Sequence, residues 1–164
     1  MRARRRRRRA CARPGSGRRR AVAASLAALC ACAGAQPVAL GIRYDRLAPC
    51  PTAPNCVSSD SLDPSHRVPP LELHLPPDEA WPAACEAVAS LPNTRIVKVD
   101  EVYLHAEATR ALDVVDDLEL HLQADRGRIA VRSGARSGYT DLGANRRRVE
   151  QLRADLVHRG VVPP

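Results

Sequence analysis

The chain has 164 residues, which leaves room for one domain and a tail but not for two domains. Its formal net charge of +8 belongs to the N-terminus: eleven arginines lie within residues 1–20, no acidic residue precedes Asp45, and the chain from residue 36 onward carries about −3. With no Phe, one Trp and three Tyr, it lacks the aromatic platforms that stack single-stranded bases. We therefore expect a domain with an aliphatic core that does not bind nucleic acid.

Residues 1–35 have the composition of a targeting leader rather than of a folded element. A basic run ends at residues 18–20, and an uncharged, alanine-rich stretch leads from there to an A-x-A-like cleavage site at residues 33–35. The stretch is too short and too weakly apolar for a stable membrane span; a signal anchor retained through Leu40 is the alternative. The leader predicts export.

The destination depends on the organism. The arginine run before a mild apolar segment resembles twin-arginine export signals, which in a bacterium lead to the periplasm or cell envelope. In a plastid-bearing organism the same acid-free segment would double as a transit peptide and give a thylakoid-lumen address. Residues 29–32, LCAC, also resemble a degenerate lipobox in which Cys32 would carry a lipid. We expect membrane contact only through the leader or this lipid.

Residues 36–69 are predicted to be extended and contain the block Cys50–Ser59, CPTAPNCVSS. Its two prolines favour a turn that brings the cysteines together, and an oxidising compartment favours a Cys50–Cys56 disulfide. Free structural thiols, or a nucleophilic Cys56 with His66 as its base, are the alternatives. Because there is no second cysteine pair, we expect no metal site.

Residues 70–164 are predicted to form an α+β domain in the order β-α-β-β-β-β-α, with two helices on one face of a four- to five-stranded antiparallel sheet. The predicted elements are a strand through Leu71, Leu73 and Leu75, a helix from Pro76 to Pro92, strands Ile96–Val99, Tyr103–Ala108, Val114–Gln123 and Arg128–Ser133, and a helix capped by Thr140 or Asp141 that carries Leu142, Asn145, Val149, Leu152 and Leu156 on one face and ends at Gly160.

The strand Val114–Gln123 alternates three leucines with polar residues, so we expect Glu119, His121 and Gln123 to point outward into water. His74 and His105 are also expected to be outward and solvated. A two-residue turn at Arg126-Gly127 would place Leu122 opposite Val131 and Asp117 opposite Arg136.

Asp116 and Asp117 are a candidate acid/base pair. Neighbours on a strand point to opposite faces, however, so we expect instead that one of them binds Arg132 or Arg136 in a structural ion pair. Those two arginines, with Tyr139 and the start of the last helix, are a candidate anion pocket. The alternative is that the arginines only hold the loop in place.

Two blocks carry a resemblance to a known family. The stretch Arg132–Arg153, RSGARSGYTDLGANRRRVEQLR, and the block Cys50–Ser59 resemble the C-terminal and N-terminal signatures of the domain of unknown function 1499 family, and the resemblance runs from about Leu47 to Leu156. Membership of this family does not imply any particular reaction. Because both blocks are dense in Pro, Gly, Asn, Ser and Arg, we predict that they meet in space, where a shared groove would be the first place to look for a ligand. The alternative is that each loop packs separately on its own strand end.

The sequence contains no Ser-His-Asp spacing, no metal cluster and no Cys-x-x-Cys. It favours a non-catalytic accessory or binding module, without a cofactor, whose partner is a protein or a small anionic ligand. The alternatives are a thiol-dependent enzyme using Cys56 and His66, or an envelope protein lipid-anchored through Cys32. The candidate ligand or structural site comprises Asn55, Cys56, Ser58, Ser59, Asp116, Asp117, Arg132, Arg136, Tyr139, Asp141, Asn145 and Arg146.

Overall fold

A computed structural model describes residues 39–164. That part of the chain contains eight β-strands and two α-helices. In chain order they are β1 (Ile42–Arg43), β2 (Arg46–Leu47), β3 (Cys56–Ser58), β4 (Leu71–Glu72), α1 (Pro77–Ser90), β5 (Thr94–Val99), β6 (Tyr103–Thr109), β7 (Val115–Gln123), β8 (Arg128–Ala135) and α2 (Ala144–His158). The predictions made for residues 1–35, including the lipid on Cys32, lie outside the described residues. None of the described helices has the length and apolar character to cross a membrane.

Six strands form one antiparallel sheet in the order β3-β8-β7-β6-β5, and β4 also pairs with β8. The last four strands of the chain form a meander: β5 pairs with β6, β6 with β7, and β7 with β8. Beyond them, β3 brings the block Cys50–Ser59 into the sheet, with Cys56 opposite Gly134 and Ser58 opposite Arg132. A segment predicted to be an extended loop is thus partly an outer strand.

Both helices cover the same face of the sheet, which confirms the predicted α+β fold. Helix α1 begins at Pro77 with two acidic residues in its first turn, where they complement the helix dipole. Its buried residues recur at helical spacing and pack with Val149, Leu152 and Leu156 of α2. The leucines of β7 lie beneath both helices, in one aliphatic core.

The opposite face of the sheet is also covered, and the expectation that its side chains are solvated was wrong. Glu119, His121, Gln123 and His105 are all buried, whereas His74 is exposed as expected. The cover is the β1–β2 hairpin and the residues after it, a segment of residues 39–50 that we call the N-terminal arm. Its Ile42 and Leu47 pack against Tyr103 and Ala130 of the sheet. The arm lies far from the sheet strands in sequence, so the alternation within β7 does not reveal it.

The predicted register of the β7–β8 hairpin was wrong by two residues. Residues 124–126 form a turn of 3-10 helix, and Gly127 follows with a φ of 60°. The connection is therefore longer than a two-residue turn, and Leu122 lies opposite Ile129 while Asp117 lies opposite Gly134. Because the shift is even, every side chain keeps its predicted face.

Two element ends also differ from prediction. The first predicted strand pairs with the sheet only at Leu71–Glu72, because the next two backbone N–H groups donate to carbonyls of Gly127 and Val161 instead. Helix α2 begins at Ala144 rather than near residue 141. Leu142 has a φ of 53° and is exposed, so it does not belong to the buried face of the helix.

Candidate functional site

The block Cys50–Ser59 is fixed by a disulfide. Cys50 and Cys56 are bonded, with Cα atoms 5.6 Å apart, which confirms the predicted pairing. His66 is buried and its Nδ1 donates to the carbonyl of Cys56 at 2.8 Å, so its ring supports the backbone of β3. Because the sulfur of Cys56 is in a disulfide, the pair lacks the thiol that a thiol-dependent enzyme requires.

A glycine makes room for this disulfide on the sheet. Gly134 of β8 lies opposite Cys56, and a Cβ atom added there would stand 3.1 Å from Sγ and 3.3 Å from Cβ of Cys56. Such distances are tighter than ordinary van der Waals contact. Gly134 of the second block therefore leaves the space that the Cys56 side chain of the first block occupies.

The two blocks meet, as predicted, and Asn55 is the main link between them. Its carbonyl accepts hydrogen bonds from the backbone N–H of Ala135 at 2.9 Å and from Nδ2 of Asn145 at 3.0 Å. Its own Nδ2 donates to the carbonyl of Gly138 at 2.6 Å. Just before the second block, Val131 is joined to Ser59 through N–H···O=C and N–H···Oγ bonds of 2.8 and 2.9 Å.

Not every residue predicted at this junction takes part in it. Tyr139 is 77 % exposed. Ser58 lies opposite Arg132 in the β3–β8 pairing, but its hydroxyl accepts the N–H of Asp60 instead of bonding to the second block. Arg146 donates to the carbonyls of Ser65 and Arg67. It therefore secures the loop after β3 rather than the junction.

The start of α2, a candidate anion position, is occupied by a carboxylate of the chain itself. Asp141 accepts the N–H groups of Gly143 and Asn145 at 3.0 and 2.7 Å. Burial of the Asp141 carboxyl opposes its charge, but these backbone hydrogen bonds outweigh burial and hold its pKa below the ordinary value. An incoming anion would have to compete with Asp141 for the same donors.

Asp116 and Asp117 diverge to opposite faces, as expected for neighbours on a strand. On the helix face, Asp116 Oδ2 lies 2.8 Å from Nε of Arg110 and 2.8 Å from Nη2 of Arg148. On the arm face, Asp117 Oδ1 lies 2.7 Å from Nε2 of His105. The two carboxylates belong to separate networks and cannot share a proton.

The predicted ion pair between Asp117 and Arg136 is confirmed despite the shifted register. Nη2 and Nε of Arg136 donate to the Asp117 carboxylate at 2.8 to 3.2 Å, and Nη2 also donates to Glu107 at 2.6 Å. Burial opposes the charge on Asp117, but hydrogen bonds from His105 and Arg136 outweigh it and lower its pKa. Hydrogen bonds from Asp117, and also from Glu107, raise the pKa of Arg136.

The prediction missed the network centred on Glu119. Oε2 of Glu119 accepts from Nη1 of Arg132 at 2.7 Å, and Oε1 accepts from the Tyr103 hydroxyl at 2.7 Å and from the N–H of Gly41 at 2.6 Å. Burial, reinforced by the charge of Glu119, raises the pKa of Tyr103 far above its usual range. One signal was available: Glu119 and Arg132 carry opposite charges on neighbouring strands.

A groove of about 500 Å³ runs between the two blocks. Its walls include Cys50, Pro51 and Ala53 from the first block and Ala135, Ser137 and Gly138 from the second. Asn55 and Arg132 also line it. Both are at least nine-tenths buried, and Oδ1 of Asn55 and Nε of Arg132 have no hydrogen-bond partner among the described residues.

A family model described as Protein of unknown function (DUF1499) matches residues 46–156. The chain belongs to this family. No curated protein matches the chain. The DUF1499 match begins at β2 and ends in α2, so it includes the disulfide, both blocks and most of the groove wall. The start of the N-terminal arm, with Gly41, precedes it.

No groups suited to a metal ion gather in this DUF1499 domain within residues 39–164: no three His, Cys, Asp or Glu side chains cluster there. The groove has largely apolar walls, and Asn55 and Arg132, which line it, each contain one buried polar atom without a hydrogen-bond partner among the described residues. Such an arrangement can orient a ligand that carries a polar group on an apolar body.

Proposed function

We propose that this DUF1499 domain is an exported, non-catalytic binding module that holds its partner in the groove between its two signature blocks. The observation that carries the proposal is the groove itself, about 500 Å³ of largely apolar space walled by both blocks and lined also by Asn55 and Arg132. Beside the groove, Asn55 Oδ1 and Arg132 Nε are buried without a hydrogen-bond partner among the described residues. A buried polar group in that state costs about 1–3 kcal/mol, which favours a side-chain shift that brings it to a bound partner.

The charge state of the groove favours a neutral polar partner over a free anion. The guanidinium of Arg132 already contacts the carboxylate of Glu119 at 2.7 Å, and that of Arg136 contacts both Asp117 and Glu107. An added anion would therefore meet arginines that are already neutralised. The carbonyl and N–H groups of a peptide match Arg132 Nε and Asn55 Oδ1, so a protein segment is the partner that we propose.

Two features support export to an oxidising compartment, either the thylakoid lumen or the bacterial periplasm. The leader at residues 1–35 has the composition of an export or transit signal, and the Cys50–Cys56 disulfide fits a destination in which thiols are oxidised. Analysis of the N-terminus of protein recovered from that compartment tests this. We expect at least residues 1–31 to be absent; a chain that begins at Met1 or Arg2 contradicts export with cleavage. A lipid-sized mass increment on Cys32 would identify the lipid-anchored alternative.

Binding in the groove is tested by filling it. Ala53→Trp places a bulky side chain in the groove wall, and Ala124→Trp makes the same change at an exposed turn away from it. Each variant and the wild type are used to capture partners from the native compartment. We expect the partner bound by the wild type to be retained by Ala124→Trp and lost by Ala53→Trp. An identical set of captured proteins on all three would overturn the proposal.

A further inference from the structure

Another cavity, which is polar and has a volume of about 340 Å³, lies on the helix side of the sheet and shares no residue with the groove. It opens where the end of α1, the outer ends of β5 and β6 and the first turns of α2 come together. Its polar lining comprises Asn93, Thr94, Thr109, Arg110, Arg147, Arg148 and Gln151. No aspartate or glutamate is among its lining residues.

Three arginines here face a single carboxylate. Asp116, fully buried beneath the cavity, uses one oxygen, Oδ2, for both Arg110 and Arg148. Arg147 has no carboxylate partner among the described residues. The local charge is therefore about +2, in contrast to the groove, where Arg132 and Arg136 are matched by carboxylates.

The arginines differ in how much of their hydrogen-bonding capacity is used. Arg148 is held by Ser133, Asn145 and Asp116 at 2.6 to 2.9 Å. Arg147 donates through Nη1 to the carbonyl of Leu142 at 2.9 Å, which leaves its Nη2 and Nε without partners within residues 39–164.

Arg110 is still less satisfied. Its Nε lies 2.8 Å from Asp116 but is not aligned for a hydrogen bond, and this buried N–H has no other partner among the described residues. Its two terminal nitrogens also make no hydrogen bond within the described part of the chain. The free donors of the two lining arginines are therefore the terminal nitrogens of Arg110 and the Nη2 and Nε of Arg147, with Arg148 as a fixed positive charge beside them.

We propose that this cavity is a binding site for a phosphoryl group, carried by a soluble phosphate ester or by a lipid headgroup. A phosphate monoester is close to a dianion at pH 7 and has three strong acceptor oxygens. It therefore matches both the local charge of about +2 and the forked donors of two guanidinium groups. The site does not depend on the groove or on the function proposed for it.

The test is a titration of the full chain with inorganic phosphate at low salt, followed by amide chemical shifts. Local shifts separate the cavity from the arginines of the leader. We expect saturable shifts at Thr109, Arg110 and Ala144. Arg110→Gln/Arg147→Gln should weaken this binding at least tenfold, because it removes both sets of free donors. The matched control, Arg43→Gln/Arg46→Gln, removes the same charge from exposed positions of the N-terminal arm and should leave it unchanged.

Three further measurements complete the test. Arg147→Gln alone, whose guanidinium touches only the Leu142 carbonyl, keeps the test valid if loss of Arg110 unfolds the protein. Between pH 7.5 and 5.5 phosphate binding should weaken as phosphate loses its second charge, whereas sulfate binding should not. Vesicles of phosphatidylcholine with phosphatidic acid, compared with phosphatidylcholine alone, distinguish a lipid headgroup from a soluble ester.

Binding of phosphate without binding of the acidic vesicles assigns the site to a soluble ester. Vesicle binding that phosphate competes away, and that Arg147→Gln weakens, assigns it to a lipid headgroup. The proposal is overturned if millimolar phosphate causes no saturable shifts at the cavity, or if the arginine variants bind phosphate as tightly as the wild type.

Discussion

The ion pair between Asp117 and Arg136 provides the sharpest test of how the arm face of the sheet is stabilised. Asp117 is fully buried, and its partners His105 and Arg136 are nearly so, with side chains 8 % exposed. Asp117→Ala would leave His105 without its partner, while Arg136 would keep its contact with Glu107 at 2.6 Å. Breaking a buried pair typically costs about 3–5 kcal/mol. Because one carboxylate remains, we expect a loss of about 2–4 kcal/mol.

For a domain of this size, 1 kcal/mol corresponds to about 4 °C in Tm, so Asp117→Ala should melt about 8–16 °C below the wild type. Thermal unfolding followed by circular dichroism measures this. The control is Asp125→Ala in the exposed β7–β8 turn, where we expect a change within about 0.5 kcal/mol. If Asp117→Ala melts as close to the wild type as Asp125→Ala does, the network does not stabilise the fold.

The pH dependence gives the same pair a second readout. The folded-state pKa of Asp117 is lowered, so its contribution to stability is present above the pKa of the unfolded chain, about 3.9, and is lost as the pH falls through the lower folded value. The wild type should therefore lose stability below about pH 4. Asp117→Ala should lose less over that interval, and an unchanged acid limb in the variant would argue against the network.

Three other changes have defined outcomes. Replacing Cys50 and Cys56 by serine should lower the free energy of unfolding by about 2 kcal/mol, because so short a loop constrains the unfolded chain little; urea denaturation measures it, and no loss would mean that the bond is strained or absent. Gly134→Ala should destabilise by about 1–3 kcal/mol, since its Cβ meets the sulfur of Cys56 at 3.1 Å; a higher Tm would show that the sheet has room there. Asp141→Ala should cost about 1–2 kcal/mol through two lost acceptor bonds at the start of α2, and the loss should shrink as the pH falls through the lowered pKa of Asp141.

The helix face of the sheet could be predicted because its signals are local. The leucines of β7 alternate with a period of two, and the buried residues of α1 recur at helical spacing, so each element reveals its own buried side. The Cys50–Cys56 bond was predictable for the same reason, since only five residues, two of them prolines, lie between the cysteines and bring them together. In these cases the residues that decide the structure are neighbours in sequence.

The arm face was mispredicted because its burial depends on a distant segment. The N-terminal arm contacts Glu119 through Gly41 and His121 through Asp45, but the sequence of the arm has no periodicity that points to β7. Polar residues alternating with leucines look solvated unless their cover is known. The register error has a different cause, since the connection after Gln123 contains one turn of 3-10 helix. Leu142 fits the helical spacing of α2, yet its positive φ places it outside the helix.

The contacts that form the groove join segments that are far apart in sequence, which bears on when the groove forms during folding. The disulfide closes a sequence separation of only 6 residues, whereas the hydrogen bond from Asn55 to Gly138 spans 83. Closing a short loop loses less chain entropy than joining distant segments, so the cysteines can meet before the sheet exists. The meander of β5 to β8 is also built from sequence neighbours and can form without the first seventy residues. The contact of β3 with β8 requires both ends of the domain at once. We therefore expect the groove to form after the disulfide loop and the meander.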